Sequence, residues 1–252
     1  MSDFPRRTLI TTGLAAAAGA LGLAAAARIA RKYGLVPPDH GGIYGFGETL
    51  TYASQRLLTM HSLAREFPRS QMSKIPFPNE MAPPTDAFKR LQAGGFAEWR
   101  LSIDGLVDRP STFSIDQLKS FPARSQITEL ACEEGWSYIA EWTGVPLAHV
   151  LQLAGIQPQA KYVVYFSIEP DWWESIDRAD ALHPQTFLAY ALNGDELPVD
   201  NGGPLRMRVP RQLGYKNVKF ITRLTVTDNL KSFGKGLGSA APETGYAWYA
   251  GI

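Results

Sequence analysis

Apolar and polar positions alternate in several short runs, and the regular structure of the chain can be read from them. Trp99, Leu101 and Ile103 are separated by polar neighbours and run into Asp104-Gly105, which predicts a strand closed by a turn. Ser114-Ile115-Asp116-Gln117 has the capping-box pattern, in which serine and glutamine side chains satisfy backbone N–H groups at a helix start. It predicts a short helix ending near Phe121-Pro122. Gln126–Ala131 reads as a strand that leads straight into Cys132. Pro146 opens a helix with Leu147, Val150, Leu151 and Ala154 on one face, and Gly155 closes it. Tyr162–Ile168 is β-rich. Thr186–Leu192 predicts a strand followed by Asn193-Gly194, a hairpin pair because both residues tolerate positive φ. Leu205–Val209 and Lys219–Val226 predict two more strands. Strands outnumber short helices and their order is irregular, so the expected fold is α+β with a mixed sheet, in a single domain.

The two ends of the chain break this pattern. Thr8 to Ala27 carries no charge and holds four Leu, one Ile and nine Ala behind the pair Arg6-Arg7. Such a stretch is long enough to cross about 30 Å as a helix. Its five large aliphatics contribute only about −0.3 to −0.6 kcal/mol each to insertion. Paired arginines before a mildly apolar stretch match a twin-arginine export signal, and Ala24–Ala27 offers small residues for cleavage. The expected location is therefore periplasmic, with a membrane anchor as the reading if the segment is kept. That route carries folded proteins, which suits a chain that takes up a cofactor before export. Residues 28–95 read as an irregular, wrapping lead-in, with four prolines between Pro76 and Pro84. Residues 96–230 form the expected core. Residues 231–252 read as a flexible tail, because Gly234-Lys235-Gly236-Leu237-Gly238 lacks the strand-then-helix context of a nucleotide loop.

Composition narrows the chemistry. The 252 residues carry 25 Lys+Arg and 24 Asp+Glu, a net charge of +1, so no nucleic-acid partner is expected. A single cysteine excludes an internal disulfide and any site built from several cysteines of this chain. That cysteine, Cys132, precedes Glu133 and Glu134. Adjacent carboxylates raise a thiol pKa, which counts against a cysteine nucleophile with His183 as its base. They are no obstacle to a thiolate held by a metal ion. The remaining soft donors would then come from outside the polypeptide. An inert core cysteine stays open at this point.

Arg206, Arg208, Arg211, Lys216 and Lys219 crowd into fourteen residues. On a strand Arg206 and Arg208 share one side. The run suits either an anion cradle or a solvated basic edge strand. Trp136, Trp142, Trp172 and Trp173 are candidates for core packing or for a pocket mouth, and His149 lies in the predicted Pro146 helix as a structural residue.

Several blocks occur together in a familiar order: Cys132-Glu-Glu-Gly-Trp-Ser137, Trp142-Thr-Gly-Val-Pro-Leu147, His183-Pro-Gln-Thr186, Asn193-Gly194, Asn201-Gly-Gly-Pro-Leu-Arg206 and Arg211–Lys219. Over roughly residues 68–228 the chain resembles the sulfite-oxidase-like molybdopterin-dependent oxidoreductases. Within them it is most similar to the short periplasmic group typified by the catalytic subunit of the bacterial methionine-sulfoxide reductase system.

The resemblance implies a sulfite-oxidase-like fold, a molybdenum-molybdopterin cofactor, and Cys132 as the thiolate ligand of molybdenum and the catalytic centre. The pterin dithiolene would supply the other sulfurs. By position, Asn201, Arg206, Asn217, Val218 and Lys219 match cofactor contacts; Ser167, His183 and Asn79 match more loosely. Relatives that oxidise sulfite place arginines near the cysteine, whereas this turn reads Glu133-Glu134-Gly135-Trp136. An acidic, aromatic pocket favours reduction of a sulfoxide or N-oxide, small or protein-bound, over sulfite-type oxidation. No haem motif is present, so the resemblance implies a membrane cytochrome b as electron partner. Only 24 residues follow Asp228, short of the family's C-terminal dimerisation domain, so a monomer is expected. A metal-free cysteine hydrolase and a non-catalytic exported binding protein are the rival readings.

Overall fold

The computed structural model describes residues 25, 28–30, 32–79, 83, 85–240 and 242–252. The export-signal reading falls almost wholly outside them. Among the described residues no helix is long and apolar enough to cross a membrane.

Two β-sheets enclose the main core. The first runs β2 (Ser111–Ser114), β1 (Arg100–Gly105), β10 (Ile221–Thr227), β5 (Tyr162–Ser167) and β6 (Trp173–Asp177) in spatial order. Only β1 and β10 pair in parallel, so the sheet is mixed. The second runs β3 (Arg124–Ala131), β4 (Ser137–Pro146), β7 (Phe187–Leu192) and β8 (Asp195–Glu196), with β9 (Arg206–Arg208) also paired to β7. Leu101, Ile103, Val163, Tyr165 and Leu224 of the first sheet meet Val145, Leu188 and Met207 of the second in one buried cluster. Alternation along β1 and β10 places these residues inward, as a period of two requires.

Local signals act as the sequence predicts. Ser114 Oγ accepts from Gln117 N, and Gln117 Oε1 accepts from Ser114 N, starting the helix Ile115–Ser120. Leu147, Val150, Leu151 and Ala154 are all buried on the helix Leu147–Ala154, and Gly155 ends it at φ 73°. Asn193 and Gly194 both take positive φ between β7 and β8.

Two expectations are corrected. Residues 28–95 are not simply irregular: they contain helix α1 (Phe46–Leu58) and helix α2 (Asp86–Ala93). The face α1 turns inward is polar, namely Glu48, Tyr52 and Arg56. Arg56 reaches Asp177 at 2.6 Å and Asp180 at 2.7 Å, and the Tyr52 hydroxyl donates to Asp177 Oδ2. An apolar-periodicity reading has nothing to find on such a face. The C-terminal stretch is likewise packed rather than loose. Trp248, Tyr249 and Ala250 are buried, and Leu230, Tyr52, Val164, Trp248 and Tyr249 form a separate apolar cluster. Trp248 Nε1 donates to Ser175 Oγ at 2.8 Å, and Leu213 N donates to Ala250 O at 2.9 Å.

Candidate active site

The hairpin β3–β4 carries Cys132 in the loop that joins its strands. Ala131 pairs with Ser137, Cys132 N donates to Trp136 O, and Gly135 N donates to Cys132 O. The loop is thereby closed on itself and holds the Cys132 side chain at the rim of the sheet. The thiol opens into a cleft of about 100 Å³. Its buried lining is Arg206, Gly214, Tyr215, Asn217, Val218 and Lys219, and its more exposed lining is Asn79, Glu133, Glu134, Trp136, Glu169, Trp172 and Tyr246. A Cβ on Gly214 would lie 3.0 Å from Cys132 Sγ, so the space beside the sulfur exists because residue 214 has no side chain.

The thiol donates to Glu133 Oε2 at 3.2 Å, and Glu134 Oε2 lies 3.8 Å away. Burial first, then the two carboxylates, push the thiol up to about 12. A free thiol so disfavoured as an anion is a poor nucleophile at neutral pH. His183 offers it no base: its ring lies outside the cleft lining, with Nε2 donating to Ser62 O and Nδ1 accepting from Gln185 N. Burial, then Arg211, lower its pKa and keep it neutral. The hydrolase arrangement is absent from the described residues.

The structure separates the basic run into different tasks. Arg206 and Lys219 line the cleft. The Arg206 side chain donates to Asn217 O and Asn201 O, and Lys219 Nζ donates to Pro78 O and Asp200 O. Arg208 is fully buried beneath them, its guanidinium 5.1 Å from the Trp142 ring, donating to Thr128 Oγ1, Glu129 O and Asn217 Oδ1. Arg211 is held by Thr59 O, Met60 O and Asp180, and Lys216 by Glu174 at 2.6 Å. The solvated-edge reading is overturned, because all five side chains are buried.

Six of the nine sequence-predicted site residues therefore meet in one cleft: Cys132, Asn79, Arg206, Asn217, Val218 and Lys219. Asn217 contributes as a brace. Its amide donates to Gln212 O and Leu213 O and accepts from Arg208 and Val209 N, which exhausts the side chain. Asn201 and Ser167 stand one layer back, behind Arg206 and Glu169. His183 stands apart, bonded to Ser62 O, while its neighbour Gln185 donates to Ala64 O. Of the tryptophans, Trp136 and Trp172 reach the mouth, while Trp142 is wholly buried and Trp173 packs on Phe166 and Phe233. Tyr215 and Tyr246 were not legible as site residues. They stack at 4.7 Å, one from the loop after β9 and one from the C-terminal stretch, which only the fold brings together.

Two sheets around a cysteine-bearing cleft place the fold among solved structures. The chain is similar to the sulfane dehydrogenase SoxCD from Paracoccus pantotrophus, with a TM-score of 0.51 and 26% identity over 53% of this chain and 39% of that one. Residues 89–233 match the family described as "Oxidoreductase molybdopterin binding domain". A relative from Azospira oryzae, named "Putative protein-methionine-sulfoxide reductase subunit YedZ1", is 37% identical over 195 residues, 77% of this chain and 70% of its own. Two proteins named "Protein-methionine-sulfoxide reductase catalytic subunit MsrP" also match. That from Xanthomonas campestris is 34% identical over 58% of this chain, and that from Ralstonia nicotianae 33% over 61%. The chain spans 50% of the length of each. The chain belongs to the oxidoreductase molybdopterin-binding domain family. It is a molybdenum-dependent oxidoreductase with molybdenum-molybdopterin as its cofactor.

The cleft fits such a group on its own terms. The lone thiol opens into it, Gly214 leaves room beside the sulfur, and Arg206 and Lys219 supply positive charge to the buried wall. An anionic ligand with oxygen or ring-nitrogen acceptors suits that positive wall.

Proposed function

We propose that this chain is an exported enzyme that reduces a sulfoxide or N-oxide, free or carried on a methionine side chain of a protein, with electrons from a membrane cytochrome b. The single observation that carries the reading is the junction in one cleft of the Cys132 thiol with Arg206 and Lys219, behind a mouth of carboxylates and aromatic rings. The relatives' names add support, since they speak of methionine-sulfoxide reductase subunits. The "subunit" in those names fits a chain that depends on an electron partner. Twin-arginine export to the periplasm rests on Arg6-Arg7 and the uncharged stretch after them.

In this reading Cys132 Sγ would be the protein's ligand to molybdenum, its proton released on binding, with Glu133 Oε2 hydrogen-bonded beside it. Molybdenum supplies oxygen-atom and electron transfer when bound. Arg206, Lys219, Asn79 and the backbone at Val218 would hold the pterin and its phosphate, with Asn201 carrying Arg206 from behind and Asn217 fixing the loop that presents them. The overall reaction takes two electrons and two protons and gives water with the thioether from a sulfoxide or the amine from an N-oxide. Glu133, Glu134 and Glu169 make the mouth anionic, which repels sulfite and accepts a neutral or cationic substrate. Trp136 and Trp172 give the substrate's apolar part a surface, and Glu134 holds the Trp136 ring through Nε1 at 2.7 Å.

The test is turnover by protein purified from cells that make the pterin cofactor. Reductant-driven loss of methionine sulfoxide, absent in Cys132→Ser, is the expected result. Sulfite oxidation without sulfoxide reduction overturns the direction, and activity in metal-free protein overturns the chemistry.

A further inference from the structure

Helix α1 is turned inside out. Its inward face is Glu48, Tyr52 and Arg56, and its outward face has no charge. Phe46, Leu50 and Leu57 fall four and seven residues apart on one exposed stripe, with Leu58 beside it. Their exposures are 76%, 53%, 68% and 80%. The other exposed positions on the helix are Gly47, Thr51 and Ser54, all neutral. A surface helix in water carries the opposite pattern, because exposed large apolar side chains gain nothing from solvent.

What covers the stripe is indicated by the chain that leads to it. Only eighteen residues, 28–45, separate Phe46 from the uncharged stretch Thr8–Ala27, whose length matches a bilayer's hydrocarbon core. That stretch is followed at once by Arg28, Arg31 and Lys32. Ile29, Tyr33 and Tyr44 in the connecting segment are exposed as well. Basic residues with tyrosines next to an apolar stretch suit the headgroup layer. Beside the Gly34–His40 segment that leads into α1, a cleft is lined by four lysines, Lys32, Lys161, Lys231 and Lys235, against two carboxylates, Asp39 and Asp228, and the His40 carbonyl accepts from Thr49 of the helix.

We propose that the outward face of α1 lies on a lipid bilayer, its leucines and phenylalanine in the acyl boundary and the lysine-lined cleft toward anionic headgroups. The inward polar face is then the helix's attachment to the protein, through the Arg56–Asp177–Asp180 ion pairs. This inference stands independently of which oxide is reduced.

The full chain, including residues 1–27, is placed in vesicles of phosphatidylcholine and phosphatidylglycerol with a benzophenone amino acid at position 50 (Leu50→benzoylphenylalanine). A control carries it at Leu153, exposed on the helix Leu147–Ala154. After irradiation, mass spectrometry is expected to find lipid adducts at position 50 several-fold above those at position 153. Chain-to-chain adducts would instead assign the stripe to a second copy. Adducts within residues 8–27 would assign it to this chain's own leader, and equal lipid labelling at both positions would remove the preference for α1. Each of these three results overturns the proposal. Circular dichroism of both variants confirms that the comparison is between folded proteins.

Discussion

Gly214 lies against Cys132 so closely that a methyl group on it would stand 3.0 Å from Sγ and 3.2 Å from both Cα and Cβ. The two residues are 82 positions apart, and the meeting of the β3–β4 loop with the loop after β9 makes the space in which the thiol works. Gly214→Ala is expected to cost about 1–3 kcal/mol of stability by overpacking. It should lower molybdenum per chain more than it lowers the melting temperature's ranking among neutral core variants. Metal analysis and thermal unfolding on the same preparation check this.

Lys216 and Glu174 form an ion pair at 2.6 Å with both side chains closed to solvent. Burial holds the Glu174 carboxyl above its usual range, and Lys216 is the main offset. Lys216→Met leaves a carboxylate buried without its cation and is expected to cost about 3–5 kcal/mol in urea unfolding. Adding Glu174→Gln removes the stranded charge and should recover part of that loss. An additive double variant would contradict the pairing.

Glu48 is pushed up to about 7, first by burial and then by the neighbouring Asp39. The folded state therefore favours the protonated carboxyl. The stability this gives is complete below the ordinary carboxyl value of 4.5 and is lost as pH rises through 7. Between pH 5 and 8 the wild-type protein should lose about 1–2 kcal/mol relative to Glu48→Gln, allowing for solvent screening. Parallel urea titrations of the two proteins across that window measure the difference.

Trp172 reaches the cleft mouth without touching Cys132's own loop in sequence. Trp172→Ala is expected to raise KM for a methionine-sulfoxide substrate by about tenfold, the loss of about 1.4 kcal/mol of apolar contact, with a smaller change in kcat. Equal losses in kcat alone would place the ring in the chemistry rather than in binding.

The sequence made the strands, the capping box at Ser114, the helix from Pro146 to Gly155 and the Asn193-Gly194 hairpin legible, because each depends on contacts within a few residues. Cys132, Arg206 and Lys219 could be named for their chemistry, and the fold unites them. The rest is tertiary. Arg211 and Lys216 read as part of an anion cradle, yet Asp180 and Glu174, distant in sequence, claim them. Asn217 lines the cleft as its position suggests, but its amide also braces the loop, filled by four partners that only the fold supplies. Helix α1 escaped notice because its buried stripe is polar. The C-terminal stretch looked loose because its glycines mask Trp248, which packs against α1 and β6.

The measurement that bears most directly on the whole account is molybdenum per chain, by elemental analysis, in wild-type and Cys132→Ser proteins purified side by side from cells that make the pterin cofactor. About one molybdenum per wild-type chain, lost from the serine variant while its circular dichroism stays native, is the result predicted from a thiolate ligand. A serine variant that retains full, redox-active molybdenum would contradict it.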